Sequence, residues 1–240
     1  MKKHIPNTIT SLNLLSGSIA TVMAFNGEYM WVVVWVIIAA LFDFCDGFSA
    51  RLLKAYSPMG KELDSLADVV SFGFAPSMVV FRFLSDNVDK ISYNPIVCEY
   101  LPYFAFLIVI FSALRLAKFN IDTRQSESFI GLNTPANALF WTSFIYGLTH
   151  DVPLITSSLV YVVLVGVLVF SLLLTSEIPM FSLKIKSLRF KGNEYRYFLL
   201  IFIILMLIFL GILGIAAGIL LYIALAIIES RTSNTNNAEN

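Results

Sequence analysis

Long apolar stretches follow one another along nearly the whole chain of 240 residues. Hydrophobic residues make up 58% of the sequence and charged residues only 13%, a composition that soluble domains do not have. Stretches long enough to cross a hydrocarbon layer of about 30 Å can be placed at residues 8–26, 30–55, 58–84, 96–118, 134–149, 154–175, 196–210 and 212–229. They predict an all-α fold, a polytopic transmembrane helical bundle of about eight spans.

The distribution of Lys and Arg predicts the orientation of this bundle, because an excess of these residues marks cytoplasmic loops. With eight spans, the cations on the side of both termini are Lys2, Lys3, Arg51, Lys54, Lys61, Arg115, Lys118, Arg124, Lys184, Lys186, Arg189, Lys191, Arg196 and Arg231. Only Arg82 and Lys90 fall on the opposite side. We therefore expect both termini in the cytoplasm and the protein in the cytoplasmic (inner) membrane.

Acidic residues interrupt the second and third apolar stretches. They are Asp43, Asp46, Asp64 and Asp68. Carboxylates inside hydrocarbon are costly, so a cluster of them requires counter-cations and indicates a function. Ser57 and Pro58 divide this segment, because a residue before proline avoids helical geometry and proline suits the first turn of a new helix. The segment is therefore predicted to be a helical hairpin with its tip near Tyr56 and Ser57.

The two arms of the hairpin place the four acids at a similar depth. At about 1.5 Å per residue, Asp46 and Asp43 lie roughly 14 and 18 Å from the end of the first arm. Asp64 and Asp68 lie roughly 9 and 15 Å beyond Pro58. Clustered oxygen ligands favour Mg²⁺, Mn²⁺ or Ca²⁺ over Zn²⁺ or copper. Four acids suffice for two such ions, which match chemistry at a phosphoryl centre.

Small residues accompany the acids on the same hairpin. Gly47, Ala50 and Gly60 lack bulky side chains, so a ligand or another backbone can approach closely. Arg51, one turn from Gly47, has a planar guanidinium that suits a phosphate group. Helix packing and interfacial anchoring are the alternative explanations for these residues, and their sequence positions leave both open.

The spacing of these acidic, small and basic positions resembles the signature of the CDP-alcohol phosphotransferases. The positions read Asp43-x2-Asp46-Gly47-x2-Ala50-Arg51-x8-Gly60-x3-Asp64-x3-Asp68. The resemblance implies a membrane enzyme that transfers a phosphatidyl group from a CDP-linked lipid to an alcohol and releases CMP. It also implies that the four aspartates hold two divalent cations, Mg²⁺ or Mn²⁺, and that Asp68 is the general base. Gly47, Ala50 and Gly60 would make room for the nucleotide, and Arg51 would face the phosphates.

Further runs extend the resemblance on both sides of the hairpin. Pro6-Asn7-x2-Thr10-x2-Asn13 is similar to the polar start of the family's first helix, which implies that Asn7 and Thr10 help to bind CDP. The runs VSFGFAP (70–76), LRLAKFN (114–120) and GLNTP (131–135) are similar to the phosphatidylserine synthase branch. They imply CDP-diacylglycerol as donor and L-serine as acceptor, although that branch more often has Arg at position 118 and Pro at position 133.

Basic residues beyond the hairpin are candidates for binding the acceptor. Serine is zwitterionic, so its carboxylate needs a cation, and Arg115, Lys118 and Arg124 are expected on the same side as the acids. These three residues are candidates for binding serine or a phosphate, and ordinary anchoring at the cytoplasmic surface explains them equally well.

Other functions remain open at this stage. Glycerol 3-phosphate or an inositol phosphate are alternative acceptors, and their extra phosphate would require additional cations near the metals. An ion or proton transporter is a remote alternative, since acids on membrane helices also mark ion pathways. Transport sites lie near the membrane midplane within repeats or broken helices, whereas these acids lie toward one face of a chain without an evident repeat.

The chain is predicted to have three parts. Residues 1–150 form the catalytic membrane domain, residues 151–229 add transmembrane helices to the same bundle, and residues 230–240 form a disordered polar tail. The expected partners are CDP-diacylglycerol, L-serine, CMP and membrane lipids, with no nucleic acid. Gly214 and Gly218 form a small-xxx-small pair that suits close helix contact, either within the chain or in the homodimer that we expect.

Overall fold

Helices make up nearly all of residues 4–122, 129–152, 154–180 and 193–238, which are the residues that the computed structural model describes. The α-helices are α1 (His4–Phe25), α2 (Tyr29–Leu53), α3 (Pro58–Asp68), α4 (Ala75–Asn87), α5 (Pro95–Tyr100), α6 (Leu107–Ile121), α7 (Thr134–Asp151), α8 (Ser157–Thr175), α9 (Glu194–Leu210) and α10 (Leu213–Ala238). A π-helical segment (Val69–Phe74) joins α3 to α4, and 3₁₀ segments occupy Val88–Lys90 and Leu101–Phe106. The prediction of an all-α fold is confirmed.

Six helical stretches in the described part of the chain are long and apolar enough to cross a membrane. They are His4–Phe25, Tyr29–Leu53, Pro58–Lys90, Pro95–Ile121, Ser157–Thr175 and Leu213–Ser230. The other two predicted spans correspond to α7 and α9. Helix α9 is shorter, and α7 is less apolar because it buries polar residues such as Thr134, Asn137 and Thr142. The protein thus has the helices of a membrane protein, while the count of eight spans and the side of the termini stay predictions.

The break between α2 and α3 follows from the residues at the predicted tip. Helix α2 ends at Leu53, and the next residue, Lys54, has a left-handed backbone (φ 50°) whose N–H bonds the carbonyls of Ala50 and Arg51. Ser57 caps α3, since its hydroxyl accepts a hydrogen bond from the Gly60 N–H at 3.0 Å. Pro58 then occupies the first turn of α3, where its missing N–H costs nothing. The predicted hairpin is confirmed.

The π-helical segment is held between α1 and α6 by two glycines. A Cβ atom on Gly17 would lie 2.5 Å from the Ser71 Cα atom, so α1 can approach this closely only because position 17 has no side chain. On the other side, a Cβ atom on Gly73 would lie 3.1 Å from the Ser112 Cβ atom of α6. Asp68, the last residue of α3, is therefore followed by a segment that packs tightly on both sides.

Helices α7 and α8 pack antiparallel beside this core. Two short strands, β1 (Phe129–Ile130) and β2 (Pro179–Met180), pair antiparallel and join the start of α7 to the end of α8. Gly131 (φ 76°) follows β1, where a Cβ atom would lie 2.6 Å from the Leu174 carbonyl oxygen. Farther along, stacked rings of Phe140 and Phe170, with centroids 4.0 Å apart, fill the space between the helices.

Helix α10 packs against α9 and α7. A Cβ atom on Gly214 would lie 2.4 Å from the Met206 backbone of α9, and one on Gly218 would lie 2.4 Å from Ile203 Cγ1. The small-xxx-small pair therefore serves packing within the chain, and the homodimer stays a prediction. Helix α10 is described as far as Ala238, and the predicted division at residues 150 and 229 and the predicted disordered tail stay predictions.

Candidate active site

Three carboxylates from the two arms of the hairpin lie together. Asp43 on α2 and Asp64 and Asp68 on α3 each offer an oxygen atom, and these atoms lie within 4.8 Å of one another. Asp43 and Asp64 are half-buried, and Asp68 is only 8% exposed. Negative charges this close repel each other in an interior that solvates them poorly, so a cation bound among them would stabilise the arrangement.

The donor atoms of this cluster fit a divalent metal ion. The donors are all carboxylate oxygens, which are the ligands that hard cations such as Mg²⁺, Mn²⁺ and Ca²⁺ prefer. One buried oxygen of Asp64 and one of Asp46 have no hydrogen-bond partner among the residues that the structure describes. Asp46 lies outside the group of three, and with Asp64 it lines the adjoining cavity. The four aspartates thus offer a cation both a compact cluster and a further ligand beside it.

Asp68 is oriented from helix α1. The side-chain amide of Asn13 donates a hydrogen bond to Asp68 Oδ1 at 3.1 Å, and the Ser71 hydroxyl donates to the Asn13 carbonyl oxygen at 3.0 Å. Asn13 and Ser71 are both fully buried. One carboxylate of the cluster therefore has a fixed orientation that depends on α1 and on the π-helical segment.

A cavity of about 540 Å³ opens beside the acids, at the tip of the hairpin. Its lining residues are Pro6, Asn7, Thr10, Asp46, Gly47, Ala50, Arg51, Ala55, Tyr56, Ser57, Pro58, Gly60, Lys61 and Asp64. The structure thus brings together all six residues predicted to bind CDP, which are Asn7, Thr10, Gly47, Ala50, Arg51 and Gly60. A Cβ atom on Gly47 would meet nothing closer than Arg51 Nη1 at 4.0 Å, so this glycine leaves open space in the cavity.

Arg115 on α6 is a buried cation that does not line the cavity. It is only 6% exposed and interacts electrostatically with Asp68. Its side chain also lies over the ring of Phe119, 6.0 Å from the centroid. Arg115 Nε has no hydrogen-bond partner within the described part of the chain. A buried cation in this condition can bind an anion that approaches Asp68.

The other predicted acceptor-binding cations have different surroundings. Lys118 forms an ion pair with Glu177, which lies just beyond α8, and both side chains are substantially exposed. Arg124 lies outside the described residues, as do Lys2, Lys3 and the basic residues from Lys184 to Lys191. Lys61, at the cavity, donates a hydrogen bond to the Asn120 carbonyl oxygen at 2.9 Å and so ties α3 to the end of α6.

This arrangement of acids and cavity agrees with a comparison to known protein families. The family model described as CDP-alcohol phosphatidyltransferase matches residues 3–173. The chain belongs to this family. The matched residues include α1, the α2–α3 hairpin and Arg115, so every element that builds the acidic cluster and the cavity lies within the CDP-alcohol phosphatidyltransferase region.

Individual relatives within the family carry more specific names. The chain is 37% identical over 137 residues to a CDP-diacylglycerol--serine O-phosphatidyltransferase of Helicobacter pylori, an alignment that covers 56% of this chain and 54% of the relative. It is 36% identical over 132 residues to the Bacillus subtilis protein of the same name, covering 55% and 70% respectively. It is 33% identical over 142 residues to an archaetidylserine synthase of Methanothermobacter thermautotrophicus, covering 58% and 57%. The chain thus spans about half the length of the Helicobacter relatives that it matches.

The structure adds residues to which sequence reasoning assigned no role in the site. Asn13 follows Asn7 and Thr10 at intervals of three residues, and this spacing could have indicated that it lies beside the site. Ser71 belongs to the run VSFGFAP that follows Asp68.

Proposed function

We propose that this protein is an integral membrane phosphatidyltransferase that makes phosphatidylserine and CMP from CDP-diacylglycerol and L-serine. The observation that carries the proposal is the cavity in which small residues and Arg51 adjoin the carboxylates Asp46 and Asp64. Membership of the family supports the transfer from a CDP-linked donor. The names of the relatives and the buried cation Arg115 support serine as the acceptor.

The cavity at the hairpin tip is the proposed donor site. Gly47, Ala50 and Gly60 leave room for the cytidine and pyrophosphate, and Asn7 and Thr10 supply polar atoms from α1. Arg51, exposed beside the cavity, is placed to pair with a phosphate. The residues that would hold two divalent cations, Mg²⁺ or Mn²⁺, are Asp43, Asp46, Asp64 and Asp68. When bound, these ions supply positive charge to the donor's pyrophosphate.

Asp68 is the proposed general base. Its carboxylate takes the proton from the serine hydroxyl as the hydroxyl oxygen forms a bond to the phosphorus that carries the diacylglycerol. The bond from this phosphorus to the oxygen shared with the cytidine-bearing phosphate breaks, and CMP leaves with that oxygen. The hydrogen bond from Asn13 keeps one Asp68 oxygen in place, so that the other points consistently at the acceptor.

Arg115 is the favoured ligand for the serine carboxylate. It is buried, it is close enough to Asp68 to interact with it electrostatically, and its Nε is unpartnered among the described residues, whereas Lys118 already pairs with Glu177. A guanidinium also suits a carboxylate because it can donate two parallel hydrogen bonds. Lys118 and Arg124 then have the more general role of attracting anions to the cytoplasmic surface.

The site is proposed to face the cytoplasm of the cell from the inner membrane. The placement of Lys and Arg supports eight spans with both termini inside. In this orientation the cavity at the tip of α2 and α3 lies toward the cytoplasmic surface, where serine and CMP exchange, while the lipid part of the donor stays in the bilayer. We also propose that the enzyme works as a homodimer.

An acceptor panel with the purified full chain tests this function. Radiolabelled L-serine is supplied with CDP-diacylglycerol and Mg²⁺ or Mn²⁺, and the expected result is label in phosphatidylserine together with release of CMP. Glycerol 3-phosphate and inositol phosphate are tested in parallel. Consumption of glycerol 3-phosphate without consumption of serine would contradict the serine assignment, and loss of the signal when CDP-diacylglycerol is omitted is the control for the donor.

A further inference from the structure

We propose that Lys61 on α3 binds a phosphate of the CDP-linked donor together with Arg51, and that Asn120 at the end of α6 holds the Lys61 ammonium in place for this contact. The inference rests on the proposed function, because it adds a cation and its support to the same donor site. Lys61 touches the donor itself in this scheme. Asn120 is a positioning residue, since it acts on the donor through Lys61.

Two basic residues line the donor cavity, and they come from different arms of the hairpin. Arg51 lies in the last turn of α2, and Lys61 lies at the end of the first turn of α3. The other charged residues that line the cavity are the carboxylates Asp46 and Asp64. A pyrophosphate adds negative charge to a cavity that already contains acids, so a cation from each arm offsets more of the repulsion than Arg51 alone.

The place of Lys61 within α3 does not stabilise that helix. Lys61 is the fourth residue of α3, which begins at Pro58. A cation near the N-terminus of a helix lies at the positive end of the macrodipole, which disfavours it. Stabilisation of α3 therefore does not explain a lysine at this position, and its ammonium has its partner on another helix.

That partner is the C-terminal end of α6. Lys61 Nζ donates a hydrogen bond to the Asn120 carbonyl oxygen at 2.9 Å. Because α6 ends at Ile121, this carbonyl is one of the last in the helix, which accept no hydrogen bond from a later turn. The negative end of the α6 macrodipole adds to the attraction. An ammonium has three N–H groups, so Lys61 can keep this bond and donate to a phosphate at the same time.

A closed ring of hydrogen bonds restrains this arrangement. The Asn120 side-chain amide donates to Ser65 Oγ at 2.8 Å, and the Ser65 hydroxyl donates to the Lys61 carbonyl oxygen at 3.3 Å. The bond from Lys61 Nζ to Asn120 closes the ring. A lysine side chain loses rotamer entropy when it binds a ligand, and this loss is smaller when the side chain is already restrained. Asn120 therefore prepares Lys61 for the donor.

Equilibrium binding of CDP to the purified full chain in the presence of Mg²⁺ tests the assignment of Lys61 independently of the acceptor. Lys61→Met removes the ammonium and keeps a long unbranched side chain. It is expected to weaken CDP binding about tenfold, the effect of losing one hydrogen bond to a charged group. Binding of cytidine, which has no phosphate, is expected to stay at the wild-type value. Lys54→Met removes the same charge from another exposed residue near the hairpin tip, which does not line the cavity, and is expected to change neither affinity.

A double-mutant cycle tests whether Asn120 acts through Lys61. Asn120→Ala removes the hydrogen bond to Ser65 and is expected to weaken CDP binding about threefold when Lys61 is present, the effect of one neutral hydrogen bond. The same change in the Lys61→Met background is expected to have no effect on CDP binding. A general disturbance of α6 would instead weaken binding in both backgrounds.

The possible results separate the inference from the proposed function. Wild-type affinity for CDP in Lys61→Met, an equal loss of cytidine binding, or an equal effect of Lys54→Met overturns the assignment of Lys61. An unchanged affinity in Asn120→Ala, or an effect that persists without Lys61, overturns the positioning role of Asn120. A wild-type protein that binds CDP but makes no phosphatidylserine would overturn the proposed function alone, and one that binds no CDP would overturn both.

Discussion

The side-chain amide of Asn13 donates a hydrogen bond to Asp68 Oδ1 across 3.1 Å, joining two buried side chains that lie 55 positions apart in the chain. The Asn13 carbonyl oxygen in turn accepts a hydrogen bond from Ser71. The carboxylate proposed as the general base is therefore oriented by α1, the same helix that supplies Asn7 and Thr10 to the donor cavity.

Asn13→Ala removes the donor to Asp68. We expect kcat to fall about 10- to 100-fold, because a hydrogen bond to a charged group contributes about 1.5–3 kcal/mol. The KM for CDP-diacylglycerol should change little, since Asn13 does not line the cavity. Steady-state kinetics with radiolabelled serine measure both constants. Ser11→Ala on the same helix removes an exposed hydroxyl and is the control, and equal rates for Asn13→Ala and wild type would show that Asp68 needs no support from α1.

Asp68→Asn keeps the size of the side chain and removes its basicity. Turnover should fall by about 10²–10⁴-fold, the usual contribution of a general base, while binding of CDP-diacylglycerol to the detergent-solubilised protein is largely retained. Single-turnover assays and equilibrium binding of a labelled donor measure the two effects separately. Activity near the wild-type level in this variant would mean that another group accepts the proton.

Gly17→Ala tests the close approach of α1 to the π-helical segment. The added methyl group would lie 2.2 Å from Ser71 Oγ and 2.5 Å from Ser71 Cα, so the backbone itself must shift. We expect a loss of about 1–3 kcal/mol in stability, as for other overpacked interiors, together with lower kcat because Ser71 and Asn13 move with Asp68. Thermal unfolding in detergent measures the first effect, and Ser18→Ala, at the exposed neighbouring position, is the control. Unfolding at the wild-type temperature would contradict the observed packing.

Signals that are local in sequence allowed the hairpin and much of the site to be predicted. Ser57 and Pro58 define the start of α3 through their own backbone chemistry, and the spacing of the aspartates follows from the helical period. Because each arm is a regular helix, the number of residues between an aspartate and the hairpin tip gives its distance from the tip along the helix axis. The residues predicted to bind CDP therefore line one cavity with Asp46 and Asp64.

Other features depend on contacts between distant parts of the chain and had no local signal. The sequence predicted one unbroken span at 58–84, whereas the structure has a π-helical segment at Val69–Phe74, packed between Gly17 and Ser112. The three basic residues considered for the acceptor were equivalent by charge alone. Tertiary structure separates Arg115, which is buried beside Asp68, from Lys118, which pairs with Glu177.

Gly47→Leu should obstruct the donor site without disturbing the helices. The cavity has open space at position 47, so the larger side chain can be accommodated there, but it takes volume that the nucleotide needs. We expect the KM for CDP-diacylglycerol to rise by about an order of magnitude, corresponding to about 1.4 kcal/mol, with unchanged thermal stability. Phe48→Leu, at the adjacent and exposed position, is the control. An unchanged donor KM would place the nucleotide elsewhere.

Removal of divalent cations should abolish activity, because Asp43, Asp64 and Asp68 place carboxylate oxygens within 4.8 Å of one another. Treatment with a chelator is expected to stop serine incorporation, and added Mg²⁺ or Mn²⁺ is expected to restore it. Electron paramagnetic resonance of Mn²⁺ gives the binding stoichiometry independently of activity, with two ions expected for the wild type and fewer for Asp43→Asn. Glu62→Gln, which removes an exposed acid from the same helix as Asp64, should leave the stoichiometry unchanged. Full activity in the chelated protein would mean that buried carboxylates meet here without a cation, which their mutual repulsion makes unfavourable.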